Sequence, residues 1–282
     1  MGLVHKSKPT TVVDCSHQFM RKDYVHALSK ALSVAQFITD LNLRNTQLTT
    51  YGAIKVSQNL NRQAVKRIDV GYNPMIKVEF YQKLAEVVND PICRLEVLDF
   101  EANKMGDSIV MLLCSWLKDS PYIKVLNLSK NEITDKAVPS ICTVLDQCTD
   151  LKGLYLHYNR ILSAGGNMLA QSLRTNKFLE VFDISFNSIG AGVVTADLEK
   201  SMNVKDTAAK LWSDCFRFNQ SLIHVDISHN NLRQLELETI AEGLRANHVI
   251  LGLHLLGNEG EIDANGFMRQ NEGITFGSIA RS

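Results

Sequence analysis

The sequence lacks the features that mark several large classes of protein. Its 282 residues carry a formal net charge of zero, whereas nucleic-acid coats and polybasic membrane binders depend on accumulated lysine and arginine. It holds no apolar run of about 18 residues, the length needed to span a membrane. The N-terminus shows no apolar stretch of signal-peptide length. We therefore expect neither a nucleic-acid partner nor a membrane location.

Cysteine is sparse and scattered. The six cysteines form no Cys-x-x-Cys pair, which argues against a structural zinc site. We interpret them as reduced and mostly buried small apolar residues of a cytoplasmic protein. Cys142 and Cys148 are the closest pair, and a disulfide between them is the less favoured alternative.

Signatures of catalysis are also missing. The sequence has no His-Glu-x-x-His motif, no glycine-rich loop with a following Lys-Ser/Thr, and no evident catalytic triad. The Gly190–Gly192 pair lacks the third glycine of a dinucleotide fingerprint, so packing explains it better. His224, His229 and His254, near Asp226, lack metal-ligand spacing and are interpreted as independent surface histidines. We predict a non-enzymatic chain without cofactor or metal.

A repeated pattern occupies most of the chain. The template LxxLxLxxNxL appears at Leu151, at Leu179 and at Leu222. Weaker copies extend it, and the first positions fall at 38, 65, 95, 123, 151, 179, 222 and 250. Five of the seven intervals are 27 or 28 residues, which is the signature of a repeat architecture.

Each part of the template predicts a local structure. Alternating leucines such as Leu154 and Leu156 are typical of a short strand with one buried face. The asparagine follows where the chain must turn, and its amide can satisfy backbone groups that the turn leaves unpaired. The remainder of each period has apolar residues at helical spacing, as at Leu169 and Leu173.

A period of 28 residues with a full helix closely resembles the ribonuclease-inhibitor-like class of leucine-rich repeats. The resemblance covers Ile38 to about Asn258. It implies an α/β solenoid, or horseshoe, of about eight repeats, with a parallel sheet on the concave side and helices on the convex side. It also implies an intracellular protein that binds other proteins.

The domain organisation follows from this pattern. Residues 1–36 are predicted to form an N-terminal segment and a capping helix, with Ser16 as its N-cap. Residues 37–258 form the repeat domain. Residues 259–282 are too polar for another repeat, and they either cap the last repeat or reach a neighbouring protein.

One interval is longer than the rest. It measures 43 residues, and the excess falls at about 191–205. Insertions in repeat proteins lie in loops on one side of the stack, often a functional side. The favoured alternative is a tolerated surface loop.

The third, fifth and seventh template positions are predicted to face the concave side, because strand side chains alternate. They carry six acids and two bases. With nearby aromatic residues they form the predicted protein-binding site, which suits a basic segment of a partner. The site residues are Asp69, Asp99, Glu101, Tyr155, His157, Tyr158, Asp183, Phe186, Asp226 and His254. The alternative is that acids at the fifth position only bond along the sheet.

We therefore predict a protein-binding adaptor or scaffold, within a larger cytoplasmic, cytoskeletal or axonemal assembly. The alternative function is a GTPase-activating protein, since one group of these is built from similar repeats. Arg44 and Arg67 are the only arginines at the predicted concave positions, and they are the residues that such an activity would use.

Overall fold

A computed structural model describes residues 11–60, 64–190 and 208–259. In these ranges nine short strands alternate with eight helices along the chain. The strands are β1 (Val12–Asp14), β2 (Asp40–Asn42), β3 (Arg67–Asp69), β4 (Val97–Asp99), β5 (Val125–Asn127), β6 (Gly153–Tyr155), β7 (Val181–Asp183), β8 (His224–Asp226) and β9 (Gly252–His254). The helices are α1 (Lys22–Val34), α2 (Thr50–Gln58), α3 (Val78–Val88), α4 (Gly106–Leu117), α5 (Val138–Gln147), α6 (Ser163–Thr175), α7 (Ala208–Phe218) and α8 (Gln234–Leu244).

The chain divides into two compact units, Met1–Asn103 and Lys104–Ser282, which we call unit 1 and unit 2. In unit 1, strands β1 to β4 pair in chain order and in parallel, so that Leu41 lies opposite Ile68 and Ile68 opposite Leu98. The middle residue of β2, β3 and β4 is buried. The predicted register of the template is confirmed in this unit.

Unit 2 repeats the arrangement with strands β5 to β9. Leu126, Leu154, Phe182, Val225 and Leu253 lie opposite one another in successive parallel pairs. All but Leu253 are buried, which gives the unit one apolar row along its strands. Residues 191–205, predicted as an insertion, and nearly all of the predicted C-terminal segment lie outside the described residues.

Buried asparagines link consecutive repeats. The Asn159 carboxamide oxygen accepts from the backbone N–H groups of Asn131 and Ile133 at 2.9 and 3.1 Å. Its amide donates to the carbonyls of Leu128 and Leu156 at 3.1 and 2.8 Å. One side chain thus satisfies four backbone groups of two repeats, each of which would cost about 1–3 kcal/mol if buried unpaired.

The N-terminal region differs from the sequence prediction. Ser16 does not begin a helix, because its backbone N–H donates to the Asp14 carboxylate at 2.8 Å. Helix α1 starts at Lys22 instead, with Arg21 as its N-cap. Ahead of it lies β1, a ninth strand that the sequence did not predict, paired with β2.

Among the helices that the structure describes, none combines the length and apolar character needed to cross a membrane. The glycine at 190 has a packing explanation, since a β-carbon there would collide with the backbone carbonyl of Asn231. At Gly190, the close approach therefore agrees with the interpretation that packing explains the glycine pair. Gly192 lies outside the described residues.

Candidate functional site

The acids at the fifth template position share one structural role. A carboxylate oxygen of Asp69, Asp99, Asp183 and Asp226 accepts from the backbone N–H two residues later, at 2.9–3.0 Å. Such local bonds are the usual reason for aspartate and asparagine at a turn. The bond occupies one oxygen, Oδ1, in each residue. Partner recognition therefore depends on what the second oxygen meets.

In unit 1 these carboxylates meet Arg44. The Arg44 guanidinium lies 3.6 Å from Asp69 Oδ2 and 3.7 Å from Asp99 Oδ1, and it hydrogen bonds to Glu101. Asp69 and Glu101 are buried. We call these four residues the Arg44 cluster. The predicted site residues Asp69, Asp99 and Glu101 therefore lie together around Arg44, whose positive charge offsets part of their negative charge.

Tyr72 completes this arrangement. Its hydroxyl donates to Glu101 at 2.9 Å, and its ring lies 4.5 Å from the Arg44 guanidinium carbon. Burial and the neighbouring Asp99 raise the pKa of Asp69 above its usual value, although Gly71 and Arg44 oppose them. The ionised form of Asp69 is thus disfavoured even in the presence of Arg44.

In unit 2 the aromatic residues at the eighth position form a stack. The rings of Tyr158 and Phe186 are 4.0 Å apart and nearly parallel, and those of Phe186 and His229 are 4.1 Å apart. The Lys130 ammonium lies 5.4 Å from the Tyr158 ring centroid. We call Tyr158, Phe186 and His229 the aromatic column. The rings cover part of one another's faces, and Tyr158 nevertheless remains exposed.

The backbone explains why these rings align. Tyr158, Phe186 and His229 all have positive φ angles, between 52° and 54°. Each therefore leaves its strand in the same direction, one repeat apart. A β-carbon at Gly257, which has φ 72°, would collide with the His229 ring. Glycine at this next repeat thus leaves room for the end of the column.

His157 and Asp183 lie beside the column. His157 Nδ1 is 3.0 Å from Asp183 Oδ2 and 2.8 Å from Ser129 Oγ, and the ring meets Tyr158 edge-on at 5.9 Å. Burial opposes ionisation of Asp183, but hydrogen bonds from His157 and Ser185 lower its pKa overall. Serine and aspartate meet the same ring nitrogen, so this is not the relay geometry of a catalytic triad.

The remaining predicted residues are on the neighbouring strands. Tyr155 lies opposite Asp183, and Asp183 opposite Asp226, in the strand register. Asp226 lies opposite His254, and the ring of His254 is 4.8 Å from that of His224. The histidines are therefore not independent, since His224 meets His254 and His229 belongs to the aromatic column. The position of His229 in the aromatic column was not predicted from the sequence.

We define the unit 2 face as the aromatic column with Tyr155, His157, Asp183, Asp226 and His254. Across the residues that the structure describes, no group of three or more histidine, cysteine or acidic side chains is placed to hold a metal ion. The face carries aromatic rings, imidazoles and two carboxylates.

Comparison with known proteins agrees with this fold. A model of the leucine-rich repeat family matches residues 119–142. No curated protein matches the sequence significantly. The residues that the family model matches, 119–142, cover a turn, strand β5 and part of α5, which is most of one period of the repeated unit. This repeat, and the strand-and-helix units built on the same template, give the chain a leucine-rich repeat fold.

Three solved structures resemble parts of this chain at low sequence identity and with TM-scores below 0.5. Actin-binding site 2 of leiomodin-1 is 18% identical over 50% of this chain and 72% of its own, with a TM-score of 0.37. The C-terminal domain of Caenorhabditis elegans tropomodulin is 13% identical over 70% and 92%, with a TM-score of 0.40. The Legionella pneumophila protein LegL7 is 13% identical over 87% and 72%, with a TM-score of 0.45. The narrower ribonuclease-inhibitor-like class stays a prediction.

Proposed function

We propose that this protein binds a partner protein through the unit 2 face. The observation that carries the proposal is the aromatic column, in which Tyr158 remains 49% exposed although its ring is held between Lys130 and Phe186. Rings fixed in this way lose little conformational entropy on binding. Aromatic residues of this kind dominate the binding energy of many protein interfaces.

The carboxylates of the unit 2 face supply charge for a basic residue of the partner. The Asp183 carboxylate already meets His157. In the part of the chain that the structure describes, the Oδ2 atom of Asp226 has no hydrogen-bonded partner. Asp226 is only half-buried, so an arginine or lysine can reach this oxygen from solvent. The partner segment that fits best therefore has a basic residue beside apolar ones.

The acids of unit 1 are weaker candidates for contact with the partner. Asp69, Asp99 and Glu101 remain predicted contacts, but Arg44 offsets part of their charge and two of them are buried. The same cluster bears on the GTPase-activating alternative. An arginine held by three carboxylates is not poised to enter another protein's active site, so we do not propose that activity.

A cytoskeletal or axonemal assembly remains a prediction about where the partner is found. The proposed contact needs no catalytic group, and the non-enzymatic role likewise stays a prediction. The unit 2 face supports only a proposal about the bound segment, which is that it has a basic residue beside apolar ones.

Selection of peptides tests the proposal. The intact chain is immobilised and used to select binders from a displayed library of random dodecapeptides. We expect the enriched peptides to combine a basic residue with aromatic or aliphatic ones. Phe186→Ala and Asp226→Asn should each weaken their binding by about tenfold, which corresponds to about 1.4 kcal/mol.

Matched controls make the test specific. Tyr24→Ala removes a comparably exposed aromatic ring from α1 in unit 1, and Asp150→Asn removes an exposed acid of unit 2 outside the face. Neither should change the affinity. The proposal fails if Phe186→Ala and Asp226→Asn bind the selected peptides as tightly as the unchanged protein does.

A further inference from the structure

A second surface lies on the helices of unit 1, away from the strand residues described above. Helices α1 and α2 enclose an open groove of about 570 Å³, which is the size of a small-ligand or side-chain pocket. Its lining residues are Lys22, Asp23, Val25, His26, Ser29, Tyr51 and Lys55. Val25 and Ser29 are buried and form the floor, while the lysines and Tyr51 form the walls.

The walls of this groove are fixed to each other. The Ser29 hydroxyl on α1 donates to the Lys55 carbonyl on α2 at 2.9 Å, and the Asn59 amide donates to the same hydroxyl at 2.8 Å. Gly52 lets the helices approach closely, since a β-carbon there would lie 3.2 Å from Val25 Cγ2 and 2.9 Å from Leu48 Cδ1. The groove is therefore formed before any partner arrives.

The charges of the groove are unbalanced. The ammonium groups of Lys22 and Lys55 lie 5.9 and 6.0 Å from the centroid of the Tyr51 ring. Within the described ranges neither of them forms an ion pair. The one acid in the lining, Asp23, is paired with Arg21 at 3.9 Å. Two lysines therefore converge on one aromatic ring without a carboxylate of their own.

We propose that this groove binds an acidic segment of a protein partner. A glutamate or aspartate of that segment lies between the ammonium groups of Lys22 and Lys55. An apolar neighbour packs on the Tyr51 ring, which is 53% exposed, and reaches toward Val25. The preference is opposite to that of the unit 2 face, which favours a basic segment.

The test uses the intact chain and a defined pair of probes. One is a fluorescent dodecapeptide of alternating glutamate and leucine, and the other replaces each glutamate with glutamine. We expect the acidic probe to bind the unchanged protein. When Lys22→Glu and Lys55→Glu are combined, the probe should bind at least tenfold more weakly. Binding should also fall as salt is raised, because charge attraction across an open groove is screened.

A matched charge reversal controls for net charge. Lys66→Glu and Lys83→Glu change the charge of unit 1 by the same amount, but these lysines are outside the groove and are paired with Glu96 and Glu86. Tyr51→Ala should weaken the acidic probe several-fold, and Asp226→Asn should leave it unchanged. Circular dichroism checks that each variant folds.

Three outcomes overturn the inference. The first is equal binding of the glutamate and glutamine probes. The second is equal loss of binding in the groove variant and in the control variant. The third is binding of a single-stranded RNA oligonucleotide at the groove, lost with Lys22→Glu and Lys55→Glu, while the acidic peptide does not bind.

Discussion

The strand residues of the two units occupy the same template positions but are used differently. In unit 1 the acids at the fifth and seventh positions surround Arg44, and the Tyr72 hydroxyl at the eighth position donates a hydrogen bond to Glu101. In unit 2 the eighth position holds the aromatic column, whose rings stack on one another and whose Tyr158 is exposed. A shared pattern therefore determines where a side chain lies, whereas its neighbours determine whether it stabilises the repeat or is available to a partner.

The largest expected effect comes from removing Arg44. Arg44→Ala leaves three carboxylates, two of them buried, without their cation, and should lower the free energy of unfolding by about 3–5 kcal/mol. Urea denaturation measures this loss. Arg160→Ala in unit 2 is the control, because its exposed pairing with Glu132 at 3.6 Å contributes less than about 1 kcal/mol. Equal losses in the two variants would show that Arg44 is not the centre of unit 1's polar network.

The next effect concerns the middle ring of the aromatic column. Phe186→Ala removes two stacked contacts, and each aromatic pair contributes about 0.5–1.5 kcal/mol beyond its buried area. We expect the free energy of unfolding to fall by roughly 1–3 kcal/mol in the same urea measurement. An unchanged free energy would mean that the rings do not stack in solution.

A contrast of similar size comes from two tyrosine hydroxyls. Tyr72→Phe removes a hydrogen bond to the Glu101 carboxylate and should cost about 1.5–3 kcal/mol. Tyr158→Phe makes the same chemical change at the same template position, but its hydroxyl has no partner among the described residues. It should cost less than about 0.5 kcal/mol. Thermal denaturation of the two variants, compared with the unchanged protein, gives the difference, and a larger loss in Tyr158→Phe would reverse the comparison.

The repeat register was predictable because it depends on periodicity. Leu126, Leu154 and Phe182 lie opposite one another, as the template required. Strand β1 was not predictable in this way, because Val13 and Cys15 replace the leucines of the template there. The helix start was misplaced because Ser16 bonds to Asp14, a turn that competes locally with a helix N-terminus.

The candidate site was predicted only in part. The sequence located Tyr158 and Phe186 at one position of the repeat, but the positive φ angles that align their rings with His229 are not encoded by a glycine. Charge counting found an excess of acid at the predicted concave positions of the whole repeat domain. It could not show that Arg44 reaches Asp69, Asp99 and Glu101, because that depends on the conformation of one long side chain across three strands.

The smallest expected effect is an opposite pH dependence of two aspartates. Ionised Asp183 is stabilised by hydrogen bonds and its pKa is lowered, so its contribution is present at neutral pH and is lost as the pH falls through the folded-state pKa. The pKa of Asp69 is raised, so its contribution is largest when it is protonated and is lost as the pH rises through that value.

Urea denaturation between about pH 3 and about pH 6 separates the two residues. Relative to the unchanged protein, Asp183→Asn should become less stable as the pH rises across this range. Asp69→Asn should shift in the opposite direction. Parallel trends in both variants would contradict the different environments assigned to the two carboxylates.

Hydrogen–deuterium exchange of the intact chain, with and without a peptide selected for binding, shows whether the unit 2 face forms the contact. We expect slower exchange at 153–158, 181–186 and 224–229, with little change at 40–45, 67–72 and 97–102. Slower exchange confined to the second set of segments would show that unit 1, and not the aromatic column of unit 2, forms the contact.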